Sequence, residues 1–239
     1  FLLLRFRVQK RNGPKSPDSG PLPSASTCLF VISVIRFHNF YLYNYKLCVI
    51  FVKKCNTMTF DDITDDGRLW TVRYDGDEDN ALMKIFAQWN DVLWLRNFFK
   101  ANLNDLISYF RITDVNKAIY DTIEDAEKLQ CLIMDISPDA DLDKIFRPLE
   151  NYRTSDLLLG KEKARLKQSF RHTSWLRIYA IKLAAGIDII TGGAIKLTAT
   201  MQELEHTLLE LQKMEKVRRF LLEENIVDDE SFIEYLGEA

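Results

Sequence analysis

Apolar residues recur along this chain with two different periods, and the change from one to the other separates a helical part from an extended part. Leu82, Phe86, Trp89, Leu93, Phe99, Leu103, Leu106 and Phe110 follow one another mostly at steps of three and four, which places them on one helical face over residues 81–110. Asp79 and Asn80 offer the cap, and residues 102–104 mark a division into two helices. Val115, Ile119, Ile123, Ala126, Leu129, Ile133 and Ile136 repeat the pattern behind Thr113 and Asp114, until Ser137 and Pro138 end it. Before these helices, residues 68–74 (RLWTVRY) are β-branched and aromatic between two acidic turns, and predict a short strand.

The period changes after Pro148. Residues 151–170 are polar and basic, and 175–183 (WLRIYAIKL) form an apolar-aromatic run that ends at Ala185 and Gly186, with 187–191 (IDIIT) directly behind. This pattern predicts a β-hairpin. Gly192 and Gly193 then break the chain before 194–198 (AIKLT). A pleat's period of two puts Ile195 and Leu197 on one face there, with Lys196 and Thr198 facing away from the core. Residues 200–203 (TMQE) have the spacing of a capping box, so a helix over 200–225 is expected, with Leu204, Leu208, Leu211, Met214, Val217 and Leu221 as its buried stripe. The acidic tail carries Phe232, Ile233, Tyr235 and Leu236 and predicts one more short helix. The order is an N-terminal strand, long helices, a three-stranded antiparallel meander and a C-terminal helix, which is an α+β domain.

Charge divides the chain elsewhere. Residues 1–57 carry nine Lys and Arg against one acid, and 58–239 carry 23 against 34, so a net charge of +8 is followed by one of −11. Three of the four cysteines (Cys28, Cys48, Cys55) and four of the six prolines fall before that boundary, as does the first methionine, Met58, on it. Residues 1–57 are therefore expected to be a non-native leader translated from upstream sequence, and 58–239 a single domain. The apolar runs 29–35 and 48–52 are seven and five residues long, short of the ~20 a membrane helix needs. Cys131 is the only cysteine after Met58, which leaves no disulfide within 58–239 and points to the cytoplasm. Placed mid-helix, its thiol is expected to be buried.

The chemistry-bearing residues are few in kind. His38, His172 and His206 are isolated and no metal-ligand spacing occurs, so neither a metal nor another cofactor is expected. Gly192 and Gly193 lack the strand-to-helix setting of a phosphate-binding loop. What stands out is a cationic cluster: Lys161, Lys163, Arg165, Lys167, Arg171, His172, Arg177 and Lys182, with Glu162 as the single acid between Lys161 and Lys182. Such a stripe, continued by Lys196, would neutralise phosphates and stabilise charge developing at a scissile phosphodiester. His172 titrates near neutrality and is a candidate acid or base. The bland reading of the same residues is a solvated face that balances acidic helices. A second class of function, a non-enzymatic protein-binding module, rests on Trp89 and Trp94, which cannot both lie on a narrow core stripe.

Residues 175–221 resemble the C-terminal half of the RelE/HigB-like toxins of bacterial toxin–antitoxin modules. There an Arg-bearing strand, a hairpin, a Lys- and Thr-bearing strand and a helix follow one another. Arg177 matches the arginine of the family's "LR-x-Y" strand, Lys196 and Thr198 match the later strand, and 146–149 (FRPL) look like the segment that precedes the sheet. Leu197 stands where a second lysine often falls, Met201 replaces a proline, and the helical region 81–136 is longer than the family's helical pair. The resemblance implies a RelE-like antiparallel sheet packed by helices and a metal-independent endoribonuclease acting on mRNA, commonly on the ribosome. It also implies a small helix-turn-helix antitoxin as partner, with no membrane and no direct contact to DNA. The roles fall on Arg177 and Lys196, then on His172, Lys163, Arg165 and Arg171, with Lys161, Lys167, Lys182 and Thr198 along the RNA path. A degenerate toxin that keeps the fold without the activity fits the same residues.

Overall fold

The apolar-aromatic run that begins at Trp175 folds as the middle of a sheet. The structure is a computed structural model that describes residues 58–150, 159–166, 172–184 and 186–238. The expectation for residues 1–57 lies outside them. Six strands, β1 (Thr59–Asp62), β2 (Leu69–Arg73), β3 (Phe146–Pro148), β4 (Gly160–Ala164), β5 (Leu176–Ala184) and β6 (Ile187–Ile195), form one sheet in the order β1-β2-β6-β5-β4-β3. Strands β2 and β6 run parallel, and the other neighbours antiparallel. The helices are α1 (Ala81–Asn90), α2 (Val92–Ala101), α3 (Leu103–Phe110), α4 (Val115–Met134), α5 (Glu205–Glu223) and α6 (Asp229–Glu238). The α+β class holds. The three-stranded meander does not: the sheet is mixed and twice as wide, and β1, β3 and β4 are too short or too polar to have announced themselves as strands.

Alternation along β5 divides the core in two. Leu176, Ile178 and Ala180 join Leu82, Trp89, Leu95, Phe99 and Leu129 on the face covered by α1 to α4, whereas Tyr179, Ile181 and Leu183 join Met214, Val217, Leu221 and Phe232 on the face covered by α5 and α6. A strand's period of two requires that split, and helices on both faces explain why 175–183 reads as almost continuously apolar. The predicted hairpin forms between β5 and β6, with Gly186 at φ 81° in its turn.

The glycine pair does not end a strand. Residues 187–195 are one continuous strand, interrupted by a bulge: Tyr179 faces Gly192 and Ala180 faces Ile190, which leaves Thr191 as the extra residue. Gly193 is needed for a close approach, because a Cβ there would stand 2.7 Å from the Arg177 carbonyl oxygen and 2.9 Å from Ile85 Cδ1 of α1. The third meander strand expected over 194–198 is thus absent, and its first two residues belong to β6.

Caps decide the helix boundaries. Asn80 and Asp114 accept backbone N–H bonds at the starts of α1 and α4 as expected. Asp91 does the same for Leu93 and Trp94 and splits the first helical run at a place its periodicity conceals. Helix α5 starts at Glu205 rather than at 200. Glu203 accepts from the Thr200 amide and hydroxyl, which forms the carboxylate half of the capping box, but no side chain caps the helix, whose N-cap is Leu204, and 198–204 stay irregular. Cys131 is exposed, on the outer face of α4 beside the exposed Leu132 and Met134, which corrects the buried thiol expected for it.

Candidate functional site

The alternation that sorts the core also sorts the cations. On β5 Arg177 points with Tyr179 to the α5 side. On β4 the register pairs Lys161 with Ile181 and Lys163 with Tyr179, and on β3 Arg147 pairs with Lys163, so all of these point the same way. Neighbouring strands lie ~5 Å apart and alternate residues ~7 Å apart along a strand. The sheet therefore presents a grid of positive groups. Lys144 and Ile145 before β3, Arg165 after β4, and Lys196 with residues 199–202 after β6 complete a groove of about 720 Å³, which Leu149, Glu150, Met201, Gln202 and Leu211 also line.

Five of its cations, Arg177, Lys163, Lys196, Lys161 and Lys144, are held in place by bonds to neighbouring groups. Arg177 Nη1 donates to the carbonyls of Ser174 and Leu176, both at 2.7 Å, and leaves Nε and Nη2 without a partner among the described residues. Lys163 Nζ donates to Leu149 O at 2.7 Å, and Lys196 Nζ to Thr198 O at 2.7 Å and Ala199 O at 2.5 Å. Lys161 is paired with Glu215 of α5 at 2.8 Å and Lys144 with Asp141 at 3.4 Å. Arg147, Arg165, Arg177 and Lys196 have no salt bridge among the described residues. Burial, with the nearby Arg165, pushes Arg177 down to about 10; burial and then Arg177, Arg165 and Lys196 hold Lys163 below the usual lysine range. Burial and Arg177 lower Lys196 in the same way. The groove is a place where cations repel one another across a partly desolvated floor.

A second cavity makes the contrast. It has about 770 Å³ and is lined by Tyr74, Lys84, Trp94, Glu210, Lys213 and Lys216 among others. There Lys84 pairs with Asp77 at 2.8 Å, Lys213 with Glu210 at 2.6 Å, and Lys216 stands 5.8 Å from the centre of the Tyr74 ring. Lysines there are mostly matched one by one, whereas in the groove Lys144 and Lys161 are paired and Arg147, Arg165, Arg177 and Lys196 have no salt bridge among the described residues.

Comparison with protein-family models, with curated proteins and with solved structures returns no match to this chain. The function has to be read from the groove. Among the described residues, no group of three His, Cys, Asp or Glu side chains is arranged to hold a metal ion, and no helix is long and apolar enough to cross a membrane.

Of the residues singled out in the sequence, Lys161, Lys163, Arg165, Arg177 and Lys196 meet in the groove. Lys167 and Arg171 lie outside the described residues. Lys182 is 4% exposed on the opposite face of the sheet, bonded to Asp143 at 2.7 Å and opposite Asp188 in the register, and does not line the groove. The register places it opposite the groove because it is an even-numbered residue of β5. His172 is also apart: its ring stacks on Trp175 at 4.5 Å, and Nε2 lies 3.8 Å from both Asp121 and Asp125 of α4. It fastens the entry to β5 onto the helical layer. Thr198 is buried, donates to Thr200 O and shapes the loop from behind. Lys196 does not sit on a strand; its ammonium ties down the loop that follows β6. Trp89 is fully buried, whereas Trp94 is half-buried, stacks on Phe98 at 5.2 Å and lines the second cavity.

Lys144, Arg147 and Gln202 were missed. The alternation of Lys161, Lys163 and Arg165 is a faint trace of the one-sided strand β4, and nothing in it marks β3.

Proposed function

We propose that the groove binds the phosphate backbone of RNA and that the protein acts on mRNA in the manner of the RelE/HigB-like toxins its C-terminal half resembles. The observation that carries this reading is the convergence of Arg147, Lys163, Arg165, Arg177 and Lys196 on one concave surface, four of them without a salt bridge among the described residues. Concentrated positive charge is costly when empty, and phosphates relieve it. Fixed guanidinium and ammonium groups at a scissile phosphodiester stabilise the charge that develops in the transition state. With His172 on the other face, Lys163 and Lys196 are the groove's candidates for moving a proton. On this reading the protein is cytoplasmic, meets mRNA on the ribosome, and is held inactive by a small helix-turn-helix antitoxin covering the groove.

Induced expression of the chain in bacteria tests the proposal, with growth and transcript integrity followed over minutes. Growth arrest and mRNA loss are expected, and Arg177→Ala should relieve both, since removing one such group costs ~10²–10³ in rate. Unchanged growth and intact transcripts from soluble, folded protein would defeat it.

A further inference from the structure

The irregular segment between β6 and α5 is unusually well fastened for a loop. Lys196 Nζ bonds the carbonyls of Thr198 and Ala199, the Thr198 hydroxyl donates to Thr200 O, and the Thr200 amide and hydroxyl both donate to Glu203. Thr207 Oγ1 of α5 closes the far side on Met201 O at 2.6 Å and Leu204 O at 2.9 Å, and the Met201 side chain is buried against Met214 and Val217. Between these anchors stands Gln202. Its side chain is exposed on the wall of the groove and has no hydrogen bond among the described residues.

A rigid backbone that offers one unpartnered amide beside a row of phosphate-binding cations has the makings of a base reader. The carboxamide places a donor and an acceptor side by side, and bidentate pairing of such a group with adenine is the standard match. In a single strand adenine presents that match on two edges, N6 with N7 and N6 with N1, because its Watson–Crick edge is free. Because 196–204 are already ordered, little conformational freedom is lost on pairing. Phosphate contacts fix the strand's position without reading its sequence, so a sequence preference has to come from a group of this kind.

We propose that Gln202 is a specificity-determining residue that selects adenine at the position of the strand held beside the loop. The inference rests on the groove being an RNA site.

The test uses the full chain and fluorescein-labelled 2′-O-methyl octamers of adenosine, uridine and cytidine, which resist cleavage, in an anisotropy titration at low salt. The adenosine octamer should bind about tenfold more tightly than the other two, as expected for one bidentate contact. In the Gln202→Leu variant the affinity ratio should fall to about one. Gln202 is exposed, so the variant is expected to keep the native circular dichroism spectrum. Equal binding of the three octamers by the native chain, or a ratio unchanged in Gln202→Leu, overturns the role of Gln202 and leaves the groove standing. Failure of every octamer to bind in a salt-dependent way overturns the groove reading itself.

Discussion

At the scale of single residues, the sheet carries opposite electrostatic problems on its two faces. Behind the groove, Asp188 is fully buried and neither carboxylate oxygen has a hydrogen-bond partner among the described residues; burial, then the nearby Glu162, pushes its carboxyl up to about 8. Burial lifts Glu162 to about 7, against the opposing pull of Lys182. Both groups hold a proton in the folded state that they release when unfolded above their ordinary values of 3.8 and 4.5. The folded chain therefore binds more protons than the unfolded chain between roughly pH 4 and 8, so this contribution to stability is complete below that window and is lost as pH rises through it. The midpoint of thermal unfolding should fall from pH 6 to pH 9, and Asp188→Asn should flatten the fall; a midpoint that rises over that range contradicts the assignment. Gly193 poses a steric problem. Alanine there would press on the Arg177 carbonyl, which is backbone and cannot yield, and should cost about 1–3 kcal/mol in denaturant titration.

Elements were legible in the sequence in proportion to how strongly their pattern was one-sided. Helix α4 and the β5–β6 hairpin were readable because their apolar residues keep one period over many positions. The break at Asp91 was not, because a side-chain cap overrides periodicity without disturbing it. Strand β4 was hidden by its charge: Lys161 and Lys163 face the groove, and Gly160, Glu162 and Ala164 supply too little hydrophobicity to mark the inner face. The groove was half legible for the same reason. Its lysines and arginines were visible as a cluster, but whether each turns toward the groove or away depends on register, and Lys182 fell on the wrong side. Register also makes β6 the most vulnerable element. It is flanked on both sides, with Ile189 between Trp70 of β2 and Ile181 of β5. Ile189→Pro in a strand with no free edge should abolish the cooperative unfolding transition seen by circular dichroism. A native-like transition in that variant would mean that the strand order is wrong.

At the scale of the whole molecule, a net charge of −11 over residues 58–239 surrounds a groove of opposite sign. A net negative body with a cationic concave patch favours a polyanion that is guided to the patch over one that adheres at random. It also makes binding dependent on ionic strength in a countable way, because each neutralised phosphate of a single strand contributes about 0.7 to the slope of log affinity against log salt. Arg165 is the residue to remove, since it is exposed and has no salt bridge among the described residues. The measurement is the affinity of the full chain for a single-stranded RNA across a series of salt concentrations, repeated with Arg165→Met. The groove predicts a slope of about −2 to −4 for the native chain, smaller in magnitude by about 0.7 in the variant, with unchanged thermal stability. A native slope near zero, or an identical slope in Arg165→Met, would contradict the claim that this groove holds RNA.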